Sequence, residues 1–226
     1  MNLTDQAYQA IKNDITTCVL EPGQQVSQQQ LAQKYGFGLM PVREALRRLA
    51  QEGLVQSVPR FGYIVSSITF SDVREIFELR SVLESAAVRL ALMRGTQEQL
   101  ERIAQEADFT YVYKDRKSYS DFLVHNAEFH RSIAALSDNR RLIDQISRLL
   151  SEMTRIFHLG LDLKDSTQEM RDEHIALAEA LCRRDENLAE HLVQSQIVCS
   201  QERVLEAMTS RFAALERTVK ITPSGK

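Results

Sequence analysis

At 226 residues, with 28 basic against 31 acidic side chains, a net charge of −3 and 43% hydrophobic content, the chain has the composition of one or two folded domains with a real core. Eight glycines, four prolines, no tryptophan and 7% aromatic residues argue against fibrous or low-complexity types, and favour helices over sandwiches or barrels. Cys18, Cys182 and Cys199 are odd in number and far apart, which argues against a disulfide framework or a zinc ribbon; a charged N-terminus and the lack of any run of about 18 apolar residues argue against a signal peptide or membrane span, so a reduced, cytoplasmic location is expected.

In chain order, residues 4–19 place Ala7, Ile11, Ile15 and Val19 on one helical face, and Glu21-Pro22-Gly23 breaks the helix. Ser27 with Gln30 resembles a capping box that opens a short helix ending at Tyr35 and Gly36. A third helix follows after a few residues. Pro41 suits its first turn, Val42, Ala45, Leu46 and Leu49 make its apolar face, and Gly53 stops it. Arg43, Arg47 and Arg48 point elsewhere. A basic outer face is as often a solvated surface as a DNA reader, but two short helices so joined follow the helix-turn-helix plan, whose second helix enters the major groove. Two β-like runs, 54–58 and 63–68, flank Pro59-Arg60-Phe61-Gly62 and read as a hairpin wing with a basic tip. Net charge alone would argue against nucleic acid, yet from Lys34 to Arg60 there are five basic residues against two acidic ones.

Beyond the short uncharged stretch Ser66–Ser71 the pattern is helical throughout, with expected limits 71–93, 96–114, 118–137, 139–159, 166–184 and 186–213, and a loose tail, 216–226. Several polar residues interrupt its apolar stripes. Arg80 shares a face with Ile76, Leu83 and Ala87 and requires an anionic partner if buried. Asn126 and His130 stand one turn apart on the stripe Phe122, Phe129, Ile133, Leu136. His174 lies among Met170, Leu177 and Leu181, and Gln196 among Leu188, Leu192 and Cys199. The chain reverses around Asp185, eleven residues from each of them, so His174 and Gln196 are expected side by side. Singly, each polar residue is more simply a satisfied core group; together they suggest a pocket.

Two resemblances emerge from these residues. Leu31-Ala32, Gly36, Pro41-Val42-Arg43-Glu44-Ala45-Leu46, Glu52-Gly53-Leu54-Val55, and Arg60, Gly62, Val65 resemble the DNA-binding domain of the GntR family of bacterial transcription regulators over roughly residues 4–68. Leu79-Arg80 with Glu84, Phe129-His130 with Asn139, and Glu173-His174 resemble the all-helical effector domain of its FadR subfamily, VanR-like branch with an FCD-type domain, over about 72–215. The resemblance implies a mainly α protein: a winged helix-turn-helix domain at 1–66, a linker at 67–71 and an antiparallel six-helix effector-binding and dimerisation bundle at 72–215. It implies DNA contacts from Gln29, Leu39, Met40, Arg43, Arg47, Arg60 and Gly62, and ligand contacts from Arg80, Asn126, His130, His174 and Gln196. Family members usually carry Ser or Thr, then Arg, where this chain has Gly38 and Leu39, and a small polar residue where it has Met40. These departures imply a different operator or a reduced affinity.

Many relatives hold a divalent metal with an Asp and three His. Here those positions are Asn126, His130, His174 and Gln196, so His130 and His174 would support a weak Zn or Ni site or none. The implied function is a ligand-responsive regulator, expected to be a repressor, that binds a pseudo-palindromic operator as a homodimer and senses a carboxylate or sugar acid. The alternatives are a dimeric small-molecule-binding protein with altered or lost DNA binding, and a metal-dependent enzyme. The enzyme lacks support in the sequence, which has no HExxH, phosphate-cradling loop or GxSxG.

Overall fold

The computed structural model describes residues 1–161 and 165–219, with the side chains of 159–161 and 211–219 left aside. It divides into two compact units, 1–69 and 70–226. The expected tail beyond residue 219 lies outside the described residues.

The first unit runs α1 (Leu3–Thr16), β1 (Gln25–Val26), α2 (Gln28–Tyr35), α3 (Leu39–Gln51), β2 (Val55–Val58) and β3 (Gly62–Val65). Its core is formed by Ala7, Ile11 and Ile15 of α1, Leu31 of α2, and Val42, Ala45, Leu46 and Leu49 of α3. The capping box of α2 is present: Ser27 Oγ accepts from Gln30 N–H, and the Gln30 side chain accepts from Ser27 N–H. Gly36 closes α2 in the left-handed conformation, φ 70°. Three features differ from expectation, one being that the second wing strand ends at Val65 and not at 68. Helix α1 stops at Thr16, and Cys18 turns left-handed (φ 56°), so Val19 is exposed and Leu20 takes the core position assigned to it. The short β1, which sequence reading misses, pairs antiparallel with β3 and makes the sheet order β1-β3-β2.

The second unit contains α4 (Phe70–Arg94), α5 (Gln97–Gln105), α6 (Arg116–Ala135), α7 (Arg140–Leu161), α8 (Thr167–Cys182) and α9 (Glu186–Val219), with no strand among the described residues. Helix α4 packs against α9, α7 and α6, and α8 packs against α9 and α5. Four expected limits fall within about two residues of those observed, and two do not. Helix α5 ends at Gln105, not 114: Phe109 and Tyr111 turn inward to join Phe122, Phe129 and His174, and that burial outweighs helix continuation. Helix α6 then starts at Arg116, where the Asp115 side chain caps Lys117 and Ser118 N–H. Helix α9 runs on to Val219, past the expected end at 213. Its buried face is Ala189, Val193, Gln196 and Ile197, rotated from the expected stripe, so Leu188 is exposed.

Candidate functional site

The first candidate surface lies on α3. Its buried residues face the core at helical spacing, which turns Leu39, Met40, Arg43 and Arg47 outward together. Gly38 is the N-cap and gives no side-chain hydrogen bond, so no cap covers the first turn. Arg47 is exposed and reaches Glu44 at 3.1 Å. Arg48, grouped with them from sequence, belongs to the scaffold. It pairs with Asp5 at 2.9 Å and stacks over the Tyr8 ring at 4.0 Å. Gln29 is exposed on α2.

The wing tip has its own geometry. Phe61 N–H bonds to Val58 O, with Pro59 first in the turn and Arg60 second at φ 68°, a type II position normally held by glycine. Arg60 is thus held outward at a conformational cost. Gly62 (φ 94°) makes a close approach instead: a Cβ there would come within 2.8 Å of the Val26 carbonyl of β1. Phe61, exposed beside Arg60, is not singled out from sequence; an aromatic at a hairpin tip is the available signal.

The second candidate site is inside the helical unit, where all five expected ligand residues are buried. Arg80, 2% exposed, is among the largest fully buried side chains of the described residues. The i, i+4 spacing along α4 brings Arg80 Nε to Glu84 Oε1 at 2.7 Å. The guanidinium also lies between Phe77 and Phe157, at 6.0 and 5.8 Å from their ring centres. Its Nη2 is 3.1 Å from His130 Nε2, so that nitrogen must accept, and the ring proton lies on Nδ1. Nδ1 in turn stands 2.7 Å from Glu84 Oε2, at the margin of hydrogen-bond direction. Burial would raise the Glu84 pKa, but Arg80 and His130 outweigh it and bring it down to about 2.

His174 faces the same interior from α8. Its Nδ1 donates to the Met170 carbonyl at 2.5 Å, and Nε2 lies 2.9 Å from the Asn126 amide. Burial, with the Arg80 cation nearby, lowers its pKa to about 3, so the ring is neutral and Nε2 is an acceptor. A hydrogen bond there requires the Asn126 amide to present its NH2 to the ring. Gln196, on α9, is brought to the same place, and its Oε1 is buried without a hydrogen-bond partner. The space between Arg80, Asn126, His174 and Gln196 is only about 10 Å³, room for about one water.

Sequence reading gives no site role to Ser200, Arg203 or Phe109, and names Glu173 only within the Glu173-His174 motif. Ser200 and Arg203 continue the Gln196 face by one and two turns, a spacing visible in the sequence, and Glu173 sits beside His174. Arg203 and Glu173 make a two-pronged pair at 2.9 and 2.8 Å. Phe109, 4.6 Å from the His174 ring centre, comes from the loop after α5, within the expected helix 96–114.

This donor set does not fit a divalent metal. The lone pair of His130 that could face an ion takes a guanidinium N–H, that of His174 faces the Asn126 amide, and a buried cation adjoins both. Among the described residues no group of three or more His, Cys, Asp or Glu is placed to hold one. Nor is any described helix long and apolar enough to cross a membrane.

A winged helix-turn-helix with an outward basic face, followed in the chain by a helical unit with a charged interior, defines a two-domain transcription regulator. Residues 3–65 match the bacterial regulatory proteins of the gntR family, and residues 75–198 match the FCD domain. The chain belongs to the gntR family of bacterial regulatory proteins and carries an FCD domain, which makes it a transcription regulator and not an enzyme. Among curated relatives, it is 26% identical over 195 residues to the HTH-type transcriptional repressor RspR of Escherichia coli, covering 86% of each chain. It is 27% identical over 209 residues to the repressor GlaR of the same organism, covering 89% of this chain and 95% of that one. Solved structures share the fold: a GntR regulator from Rhodococcus aligns with a TM-score of 0.67 at 19% identity, covering 90% and 98% of the two chains. McbR/YncC of Escherichia coli aligns at 0.61 with 24% identity, covering 93% and 99%.

Proposed function

We propose that the chain is a repressor that binds a pseudo-palindromic operator as a homodimer, through residues 1–66, and releases it on binding a small carboxylate within residues 72–215. The DNA contacts are assigned to Gln29, Leu39, Met40, Arg43, Arg47 and the wing residues Arg60 and Gly62. The observation that carries this reading is the outward set on α3, with Arg43 exposed between Leu39 and Arg47. A forked guanidinium there suits a guanine edge or a phosphate. The relatives RspR and GlaR are named as repressors, which supports the sign of control.

An exposed apolar stripe on α4 supports the homodimer. Leu79, Val82 and Met93 are 49%, 68% and 72% exposed, with Ala86 and Leu90 half-buried between them. The spacing 79, 82, 86, 90, 93 is built of threes and fours and keeps these residues on one side of the helix, as in helices that pair along a seam.

Arg80, Asn126, His130, His174 and Gln196 bind the effector directly, without a metal. Arg80 supplies the charge a carboxylate needs, and the unpartnered Gln196 Oε1 accepts a hydroxyl of a sugar acid or similar compound. Because the present space holds about one water, binding requires these helices to part, and the ligand acts by preferring that expanded state. The test is binding to operator duplexes selected from a random pool, followed over salt. Affinity should fall steeply with salt, and Arg43→Ala should cost at least ten-fold. A sequence-independent affinity unaffected by Arg43→Ala would instead favour a small-molecule-binding protein that has lost operator recognition.

A further inference from the structure

The first turn of α3 presents two large apolar side chains to water: Leu39 is 52% exposed and Met40 63%. Neither belongs to the core of the first unit, whose α3 members are Val42, Ala45, Leu46 and Leu49. Each lies on the same side of the helix as Arg43 and Arg47, so a polyanion drawn to the arginines meets Leu39 and Met40 as well. In a helix that enters the major groove, residues of the first turns are the ones that reach base edges. Gly38 adds no side chain at the entrance, so nothing holds Leu39 and Met40 back from the groove floor.

The groove offers these side chains one apolar group, the 5-methyl of thymine. Guanine presents acceptors, cytosine a donor, and adenine one of each. Packing leucine or methionine over those edges would remove water from them and return no hydrogen bond, which selects against those bases directly beneath the two side chains. We propose that Leu39 and Met40 read thymine methyl groups, so that each half-site carries thymine at neighbouring positions beside the base or phosphate held by Arg43. This rests on the assignment of α3 as the DNA-reading helix. Specificity here is carried by apolar fit at the place where polar side chains would otherwise make hydrogen bonds.

Replacing thymine by uracil removes the methyl and leaves every hydrogen-bonding group of the base unchanged. The experiment uses the full chain and a duplex selected from a randomised pool, resynthesised with uracil at one thymine at a time. Affinity is read by fluorescence anisotropy. Uracil at one or two neighbouring positions in each half-site should weaken binding about four-fold per methyl, the equivalent of one buried CH2. Leu39→Ser with Met40→Ser, both at exposed positions, should bind the thymine and uracil duplexes alike. Tolerance of uracil at every position would overturn the proposal. So would full sensitivity retained by the doubly substituted chain. If no duplex is enriched at all, the assignment of α3 as the reading helix fails, and the methyl readout fails with it.

Discussion

Glu84→Gln removes one charge and almost no volume, and its effect follows from the closed set Arg80, Glu84 and His130. In the native chain Arg80 donates to Glu84 and to His130 Nε2, while His130 Nδ1 faces the second Glu84 oxygen. A glutamine can still accept from Arg80 through its oxygen, but its NH2 then faces His130 Nδ1. The imidazole would have to move its proton to Nε2, where it meets the Arg80 N–H. No tautomer satisfies all three groups, and a guanidinium 2% exposed is left without an anion. Breaking a buried pair in this way costs about 3–5 kcal/mol, which lowers the melting temperature of a domain this size by roughly 10 °C. Arg80→Met with Glu84→Leu removes both charges and should recover most of that loss. Differential scanning calorimetry of the wild type, Glu84→Gln and the double variant tests this. A Glu84→Gln protein that melts within about 2 °C of wild type would refute the reasoning, because the charge would then be neither needed nor desolvated.

His174 makes stability depend on pH. Its folded pKa of about 3 lies below the ordinary 6.5, so between these values the unfolded chain holds a proton that the folded chain does not. This contribution is fully present above pH 6.5 and is lost as pH falls towards 3, on the order of 2–3 kcal/mol between pH 7 and 4.5. Urea titrations across that range should show the decline, and His174→Gln should flatten it. Gly62→Ala forces a Cβ against the Val26 carbonyl at a left-handed backbone position. It should cost about 1–3 kcal/mol and speed hydrogen exchange at Ile64 and Val65 without touching the helical unit. Val82→Asp places a charge on the exposed α4 stripe and should weaken self-association about 100-fold or more, seen as monomers in sedimentation velocity; unchanged dimers would move the interface elsewhere.

Much of this architecture was legible in the residues, and the failures have physical causes. Helix α2 could be read from Ser27, Gln30 and Gly36 because caps act locally, through a few bonds. The placing of His174 opposite Gln196 followed from helical rise alone, once the reversal at Asp185 was fixed. Strand β1 could not be read, since two residues have no periodicity and are strand only because β3 passes beside them. The end of α5 was hidden for a related reason: Phe109 and Tyr111 leave the helix to reach rings far along the chain. Arg48 looked like part of a basic surface because Asp5 and Tyr8, which hold it, lie 40 or more positions earlier. Polar identity at Arg80 predicted an anionic partner, and Glu84 supplies it. The tight closure of the interior was not legible, because residue types do not report the space left between them.

On the proposed function, carboxylate binding inside the helical unit controls operator binding by the winged unit. Fluorescence anisotropy of the full-length chain on DNA flanking its own gene, titrated with a panel of sugar acids and other small carboxylates, tests it directly. At least one acid should release the wild-type chain in a saturable way, with added chelator making no difference and Gln196→Leu shifting the midpoint to higher concentration. Selective operator binding that no carboxylate alters, or release that requires a divalent metal, would contradict it.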